Sequence, residues 1–417
     1  MSTVGESESK AVIIAAKPDR KFFRPKRKAI SGIPLEISEN PEIQKAISIL
    51  PANYNFEIPK TIWRIKKSES KCVALQFPEG LLLFALTISD ILQKFTDVET
   101  IILSDVTYGA CCIDDFTARA LGADLMVHYG HSCLIPVNKT ENIAMLYIFV
   151  DIKIDSLHLI NTIEKNFEKG PLALLSTIQF VSTIQQVTSD LQNLGYDIEI
   201  PQAKPLSPGE TLGCTSPKIK KAQKVVFIGD GRFHLESAMI ANPSLEFYKY
   251  NPYDKKITRE YYDYEKMTQI RRKEVQLAAA SQNFGLILGT LGRQGNPNVM
   301  YNIQNILKKG NKSFVTVLLS EIFPDKLKMF NDIQAWVQVA CPRLSIDWGH
   351  AFGKPLLSPY ELAACMKEIE WQEKYPMDFY ASQSLGIWTP NHVPPSVEKD
   401  SCKSCADCSC TNNKNFE

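Results

Sequence analysis

The sequence predicts an α/β protein of three similar domains, each a small, mainly parallel sheet flanked by helices. Two observations carry this. Apolar or β-branched runs of about four to eight residues alternate with helical stretches of about ten or more, the pattern of parallel βαβ units. The pattern then recurs three times at intervals of roughly 100 residues, near the usual domain length. With 417 residues, 44% hydrophobic and 22% charged, the chain has apolar material for several cores.

In chain order, residues 1–50 are expected to form a basic, partly disordered arm. Its run KPDRKFFRPKRK, Lys17 to Lys28, suits a solvated tail, though such a run can also touch RNA or an acidic surface. PEIQKAISIL then reads as a short helix before a Pro-punctuated lead-in. The first domain, 51–165, offers CVALQF (72–77) as a strand, PEGLLLFALTISDILQKF (78–95) as a helix and ETIILSDV (99–106) as a strand. DDFTARALGA (114–123) follows as a helix, DLMVHYGH (124–131) as a strand opening into a loop, and AMLYIFV (144–150) as a last strand. The second domain, 166–278, repeats the logic with LALLST (172–177), the helix TIQQVTSDLQNLG (183–195), DIEIP (197–201), the loop PLSPGETLGCTS and VVFIGDG (225–231). The third, 279–392, carries FGLILGT (284–290), the helix NVMYNIQNILKKG (298–310), SFVTVLLS (313–320), AWVQVAC (335–341) and a closing helix SPYELAACMKEIEW (358–371). Residues 393–417 form a Cys-rich tail, expected to be flexible, in which Cys402, Cys405, Cys408 and Cys410 stand close together. That spacing could bind zinc, but no hydrophobic shell surrounds it.

A formal net charge of +1 gives no whole-protein attraction to nucleic acid or anionic membrane, and no direct nucleic-acid role is expected. MSTVGESESK lacks the basic-then-apolar pattern of a signal peptide, and no uncharged apolar run approaches the ~20 residues of a bilayer span. A cytoplasmic protein without membrane contact is the expectation. Its 11 cysteines are then candidates for metal binding or catalysis rather than a disulfide framework.

In open parallel sheets ligands gather where loops leave the carboxyl ends of strands. Three cysteines fall there, in what reads as equivalent places of the three repeats: Cys111 after ETIILSDV, Cys214 in GETLGCTS, and Cys341 at the end of AWVQVA. Their long separations exclude a local zinc-finger or ferredoxin spacing, but fit three loops meeting at a centre. Three thiolates suit a 4Fe-4S cluster with one open iron, and soft sulfur donors select iron–sulfur or zinc over harder metals. Gly109 and Gly213 would let the backbone approach a bulky group. Cysteine is also a common small core residue; Cys72, Cys133 and Cys365 are expected in that role, and Cys112 beside Cys111 is expected to pack.

The wording around these positions is more specific. QFPEGLL, SDVTYGACCIDDFTARALGAD, HYGHSCLIP, GETLGCTSP, GDGRFH, LGRQGNP, SEIFP and WVQVACPRLSIDWG resemble, in order and content, the diphthamide biosynthesis family from roughly Pro51 to His392. All three cysteines are present, as in the family's catalytic subunit; the similar second subunit departs from that pattern. The resemblance implies three domains arranged around a central 4Fe-4S cluster held by Cys111, Cys214 and Cys341, without a CxxxCxxC motif. It implies transfer of the 3-amino-3-carboxypropyl group of S-adenosylmethionine to a histidine of translation elongation factor 2, by a radical mechanism. It also implies a heterodimer with the second subunit and a small electron-donor protein.

A pocket for S-adenosylmethionine would need acceptors and a clamp for its carboxylate, and the strand-end loops offer Gln76, Asp105, Asp230, His234, Arg293 and Asp347. Each also fits a structural role as a cap or hydrogen-bond partner. Two other functions stay open on the residues alone. A quinolinate-synthase-like enzyme would also set three cysteines around an open iron; a non-catalytic scaffold would hold zinc instead.

Overall fold

A computed structural model describes residues 32–105, 109–135, 140 and 143–393. The basic run Lys17–Lys28, the cysteines of the 393–417 tail and most of the 1–50 arm lie outside the described residues. Residues 35–38 and 41–47 form two short helices, the second capped by Asn40, and Ile43 enters the core of the first sheet.

Three separate sheets carry the fold. The first holds β1 (Cys72–Gln76), β2 (Glu99–Leu103), β3 (Leu125–Tyr129) and β4 (Ala144–Ile148). The second holds β5 (Pro171–Ser176), β6 (Asp197–Glu199), β7 (Lys224–Ile228), β8 (Glu246–Asn251) and β9 (Lys256–Glu260). The third holds β10 (Asn283–Gly289), β11 (Ser313–Leu319), β12 (Ala335–Val339) and β13 (Leu356–Leu357). The orders are β2-β1-β3-β4, β6-β5-β7-β8-β9 and β11-β10-β12-β13. Each sheet therefore starts in its middle, steps to one side, and crosses back. The reversal opens a crevice at the carboxyl ends of its first and third strands, the usual ligand position in this architecture. Within these three sheets, among the described residues, every pairing is parallel except β8 with β9; a separate two-stranded pair, Tyr54–Asn55 with Asp151–Ile152, is antiparallel.

Composition explains the sheets. Strands β3 and β12, LMVHY and AWVQV, are buried at every residue, as parallel strands covered by helices on both faces must be. Helix Pro297–Lys309 shows the complementary logic: Asn296 caps it, Pro297 occupies its first turn, and Val299, Met300, Ile303, Ile306 and Leu307 form one buried stripe.

Two expected helices differ in extent. The stretch 78–95 divides into Glu79–Leu82 and Ala85–Thr96. The closing helix covers only Pro359–Cys365. Lys367, at φ 59°, turns the chain out, with its N–H and that of Glu368 on the carbonyls of Ala364 and Ala363, a left-handed stop that a local pattern does not announce.

Helix Tyr264–Ala279 belongs to the third sheet by packing. Its buried Arg271 donates from Nε and Nη2 to Glu361 at 2.7 Å each, and from Nη2 to the carbonyl of Leu356 at 2.8 Å. Residues 375–393 then fold back onto the second domain: Met377 and Lys204 carbonyls accept from, or receive, backbone N–H groups of Ser216 and Ser382, and Phe379 donates to the carbonyl of Cys214.

Candidate active site

The loops leaving the carboxyl ends of the three sheets bring Cys111, Cys112, Cys214 and Cys341 together. Cys111 feels the charges of the other three, and Tyr380 feels all four. An apolar shell of Ala110, Leu134, Leu206, Phe379 and Tyr380 packs on Cys111 and Cys214. The three cysteines do not occupy equivalent places. Cys111 follows β2, and Cys214 follows β6, each the second strand of its sheet; Cys341 follows β12, the third strand of its own. The threefold likeness is therefore of position at the carboxyl ends, not of topology.

The Cys111 loop is held from the third domain. Its turn is closed by the Cys112 N–H on the Gly109 carbonyl at 2.9 Å. Arg293 donates its backbone N–H to the Cys111 carbonyl at 2.8 Å and grips Asp115 with Nε and Nη2 at 2.8 and 2.5 Å. The same guanidinium lies over the Phe116 ring, 4.1 Å from its centroid. Gln294 places its amide N–H on Cys112 Sγ at 3.4 Å. Gly292, at φ 54°, lies so close that a Cβ would stand 2.5 Å from the Cys112 carbonyl carbon; only glycine fits both the backbone and the approach. From the first sheet, Gln76 Nε2 donates to the Cys112 carbonyl at 2.9 Å.

The Cys214 loop is held in the same manner by another arginine of the third domain. Arg343, 3% exposed, donates to the carbonyls of Gly213 and Phe233 at 3.3 and 2.8 Å and pairs with Glu236 and Asp347 at 2.7 and 2.9 Å. Gly213 is required by Phe233, whose ring would meet a Cβ at 1.9 Å; the same test at Gly109 meets only the Cys111 sulfur at an ordinary 3.9 Å. On its other side the loop is tied to the first domain through the buried Glu210, which accepts from Ser132 Oγ and from the Ser207 N–H. Burial, only partly offset by Ser207, raises the Glu210 carboxyl to about 7.

Cys341 needs less support. It caps helix Pro342–Trp348, whose first residue is proline, and its carbonyl accepts from Gln338 Nε2 at 2.8 Å.

The thiols themselves resist ionisation. Cys111 is pushed well up, first by its hydrogen bond with Cys112, then by burial and the neighbouring thiols. Burial, then Cys341, raises Cys214 to about 12, against Thr215 and Arg343; burial also raises Cys341. A cation binding there would relieve this crowding and release the thiol protons. Among the described residues, no group of three or more His, Cys, Asp or Glu side chains stands close enough to hold one metal ion. Soft sulfur donors gathered in this way suit iron–sulfur or zinc rather than a harder cation.

Of the residues expected around a co-substrate, Gln76, Asp105, Asp230 and Arg293 lie at the carboxyl ends of strands or just beyond them, whereas His234 and Asp347 lie on the helices that follow, Phe233–Ala241 and Pro342–Trp348. Gln76 and Arg293 hold the Cys111 loop. Asp347 pairs with Arg343, and its carboxyl is raised by burial. His234 lies near Arg343 and Asp230, and burial lowers it to about 4. Asp230 is exposed and accepts from the Gly231 N–H, and Asp105 is exposed at the end of β2. Cys112 and Cys365 are buried as expected, whereas Cys133 is exposed and lines a cavity of about 370 Å³ with Leu134, Pro205 and His392. Sequence reasoning missed Arg343 and Tyr380, and read Asp115 only as an acid in a first helical turn.

The family model "Putative diphthamide synthesis protein" matches residues 77–376. The chain is 56% identical over 379 residues to 2-(3-amino-3-carboxypropyl)histidine synthase subunit 1 of Gallus gallus, covering 90% of this chain and 92% of that protein. It is 53% identical over 410 residues to the Homo sapiens protein of the same name, covering 94% and 93%. It is 57% identical over 369 residues to the Schizosaccharomyces pombe one, covering 86% and 84%. Among solved structures, Dph2 from Pyrococcus horikoshii shares the fold at a TM-score of 0.64 and 24% identity, over 77% of this chain and 94% of that one. A second structure of that protein, with a 4Fe-4S cluster, matches equally at 23% identity over 78% and 94%. With its three-sheet fold, its converging cysteine loops and these likenesses together, the chain belongs to the diphthamide synthesis family.

Proposed function

We propose that the chain is the catalytic subunit of a 2-(3-amino-3-carboxypropyl)histidine synthase, taking the aminocarboxypropyl group from S-adenosylmethionine and placing it on a histidine of translation elongation factor 2. The observation that carries this reading is the convergence of three thiols from three separate sheets, two of them on loops held from the third domain. Cys111, Cys214 and Cys341 would hold a 4Fe-4S cluster, which supplies the single electron that opens the sulfur–γ-carbon bond of the sulfonium. Cys112 is set apart by its burial and by the Gln294 N–H on its sulfur. Overall, the C–S bond and the imidazole C2–H bond break, one C–C bond forms, methylthioadenosine leaves and one proton is released; the electron supplied at the start is returned as the ring regains its aromaticity, so the sum is redox neutral.

The residues of the chain prepare this step. Arg293 and Arg343 fix the loops that carry two of the thiols, and the apolar shell around Tyr380 limits water at the reacting centre. Asp230, His234 and Asp347 stay in reach as contacts for the co-substrate. Membership of the diphthamide synthesis family selects this reading over quinolinate chemistry. A heterodimer with the second subunit, a small electron-donor protein and a cytoplasmic setting belong to the same proposal; no helix among the described residues is long and apolar enough to cross a membrane.

The test is anaerobic: the chain is reconstituted with iron and sulfide, then mixed with reductant, S-adenosylmethionine and elongation factor 2, with and without the second subunit. Methylthioadenosine and a modified histidine in equal amounts are expected. A colourless protein that takes up one zinc and yields neither product would refute the reading.

A further inference from the structure

A chain of side chains behind the Cys111 loop has a fixed direction. Gln76 Nε2 donates to the Cys112 carbonyl at 2.9 Å. A carbonyl can only accept, so the amide nitrogen faces it and Gln76 Oε1 faces His128 Nδ1 at 2.8 Å. Gln76 and His128 are register partners on β1 and β3, which is why their side chains meet. His128 Nδ1 therefore carries a proton. His128 is fully buried, and burial, then His131, depresses its basicity, so the ring is neutral and its Nε2 is a bare lone pair. That lone pair lies 3.0 Å from His131 Nδ1, which must then be the N–H donor.

The consequence falls on the last atom. His131, also held neutral, first by burial and then by His234, has its one proton on Nδ1 and a lone pair on Nε2 that accepts no hydrogen bond among the described residues. His131 sits two residues past β3, and its loop is anchored to the second domain by Gln179 on the Gly130 carbonyl at 2.6 Å and by Ser132 on Glu210. His234, close by, opens helix Phe233–Ala241, which Arg343 ties to the Cys214 loop. We infer that His131 Nε2 is a tautomer-locked acceptor which, with His234, binds and orients an N–H donor between the first and second domains.

This inference rests on the proposed reaction for its ligand. Two N–H donors take part there: the α-amino group of S-adenosylmethionine and the ring N–H of the target imidazole. Either would be held through the same lone pair, and for the imidazole the reacting C2 would lie one bond from the held nitrogen. His131 acts as a positioning residue, because a ring kept neutral is a poor proton carrier but a constant acceptor.

The full chain, with its histidine rings labelled with ¹⁵N, tests this without iron or turnover. Long-range proton–nitrogen correlation spectra, with His131 assigned through His131→Gln, should show Nδ1 protonated and Nε2 bare throughout the neutral range, where a free imidazole titrates near 6.5. His128→Phe should release the lock and let His131 titrate, whereas His128→Gln, which still offers an acceptor oxygen, should preserve it. Titration with S-adenosylmethionine or with free imidazole should move the His131 Nε2 resonance, with affinity about fivefold weaker in His128→Phe. A response to one ligand alone assigns the site to that donor. An Nε2–H tautomer, titration near 6.5 in the unmodified chain, or no response to either ligand overturns the inference. A locked tautomer in a chain that yields no methylthioadenosine would instead leave the inference standing and refute the reaction.

Discussion

Cys341 and Cys214 are placed by opposite means. Cys341 leaves a fully buried strand and caps a helix that begins with proline, so regular backbone fixes it and one hydrogen bond from Gln338 completes the support. Cys214 stands in an irregular loop, and its position depends on a guanidinium from another domain, on Phe233 packed against Gly213, and on Glu210 tied to the first domain. Cys111 resembles Cys214 in this respect, with Arg293 in the place of Arg343. The third domain thus acts as the template: it carries one thiol on its own backbone and holds the other two loops by arginines. Where regular structure cannot position a ligand, buried charge does, and such positions should be the fragile ones.

Substitution should grade this difference. Arg343→Met removes a guanidinium that is 3% exposed and leaves Glu236 and Asp347 without it; a loss of about 3–5 kcal/mol in denaturant unfolding is expected, together with loss of iron binding. Glu210 tests the other side of the same loop. Its carboxyl is raised from 4.5 to about 7 in the fold, so the native chain holds a proton that the unfolded chain releases. Stability should therefore fall as pH rises from about 4.5 through 7, by about 3 kcal/mol, and Glu210→Gln should flatten that slope in melting curves.

Arg293→Met should cost less, about 2–3 kcal/mol, because this arginine is 20% exposed although Asp115 is buried. Gln338→Leu, beside the self-supported Cys341, should cost only about 1–2 kcal/mol and leave iron content nearly unchanged. If Gln338→Leu proved as damaging as Arg343→Met, the contrast between the loops would be wrong.

Much of this architecture was legible in the sequence. Strands β1 to β7 and β10 to β12 stand where apolar runs predict them, whereas β8 and β9, the half-exposed EFYKYN and KITRE, and the two-residue β13 offer no continuous apolar run and are not predicted. The cysteines were found for a related reason: loops after strands are where such a fold keeps its chemistry. What was not legible is long-range. Asp115 pairs with a residue 178 positions away, and an acid in a first helical turn looks the same whether or not such a partner exists. Arg343 reads as one more charge after a proline, and Tyr380 enters the site only because residues 375–393 fold back. The departure of Cys341 from the other two became visible only with strand order, since a strand's rank in its sheet leaves no mark on its composition. The direction of the Gln76–His128–His131 chain likewise follows from contacts rather than from residue types.

Of the four converging cysteines, Cys111, Cys214 and Cys341 are the proposed ligands, and Cys112 is proposed to pack. Serine should be placed singly at Cys111, Cys112, Cys214 and Cys341, and iron per chain measured after anaerobic reconstitution. Cys112→Ser is expected to keep its iron and its visible absorption while the other three lose them. Iron lost from Cys112→Ser but kept by Cys111→Ser would contradict that assignment.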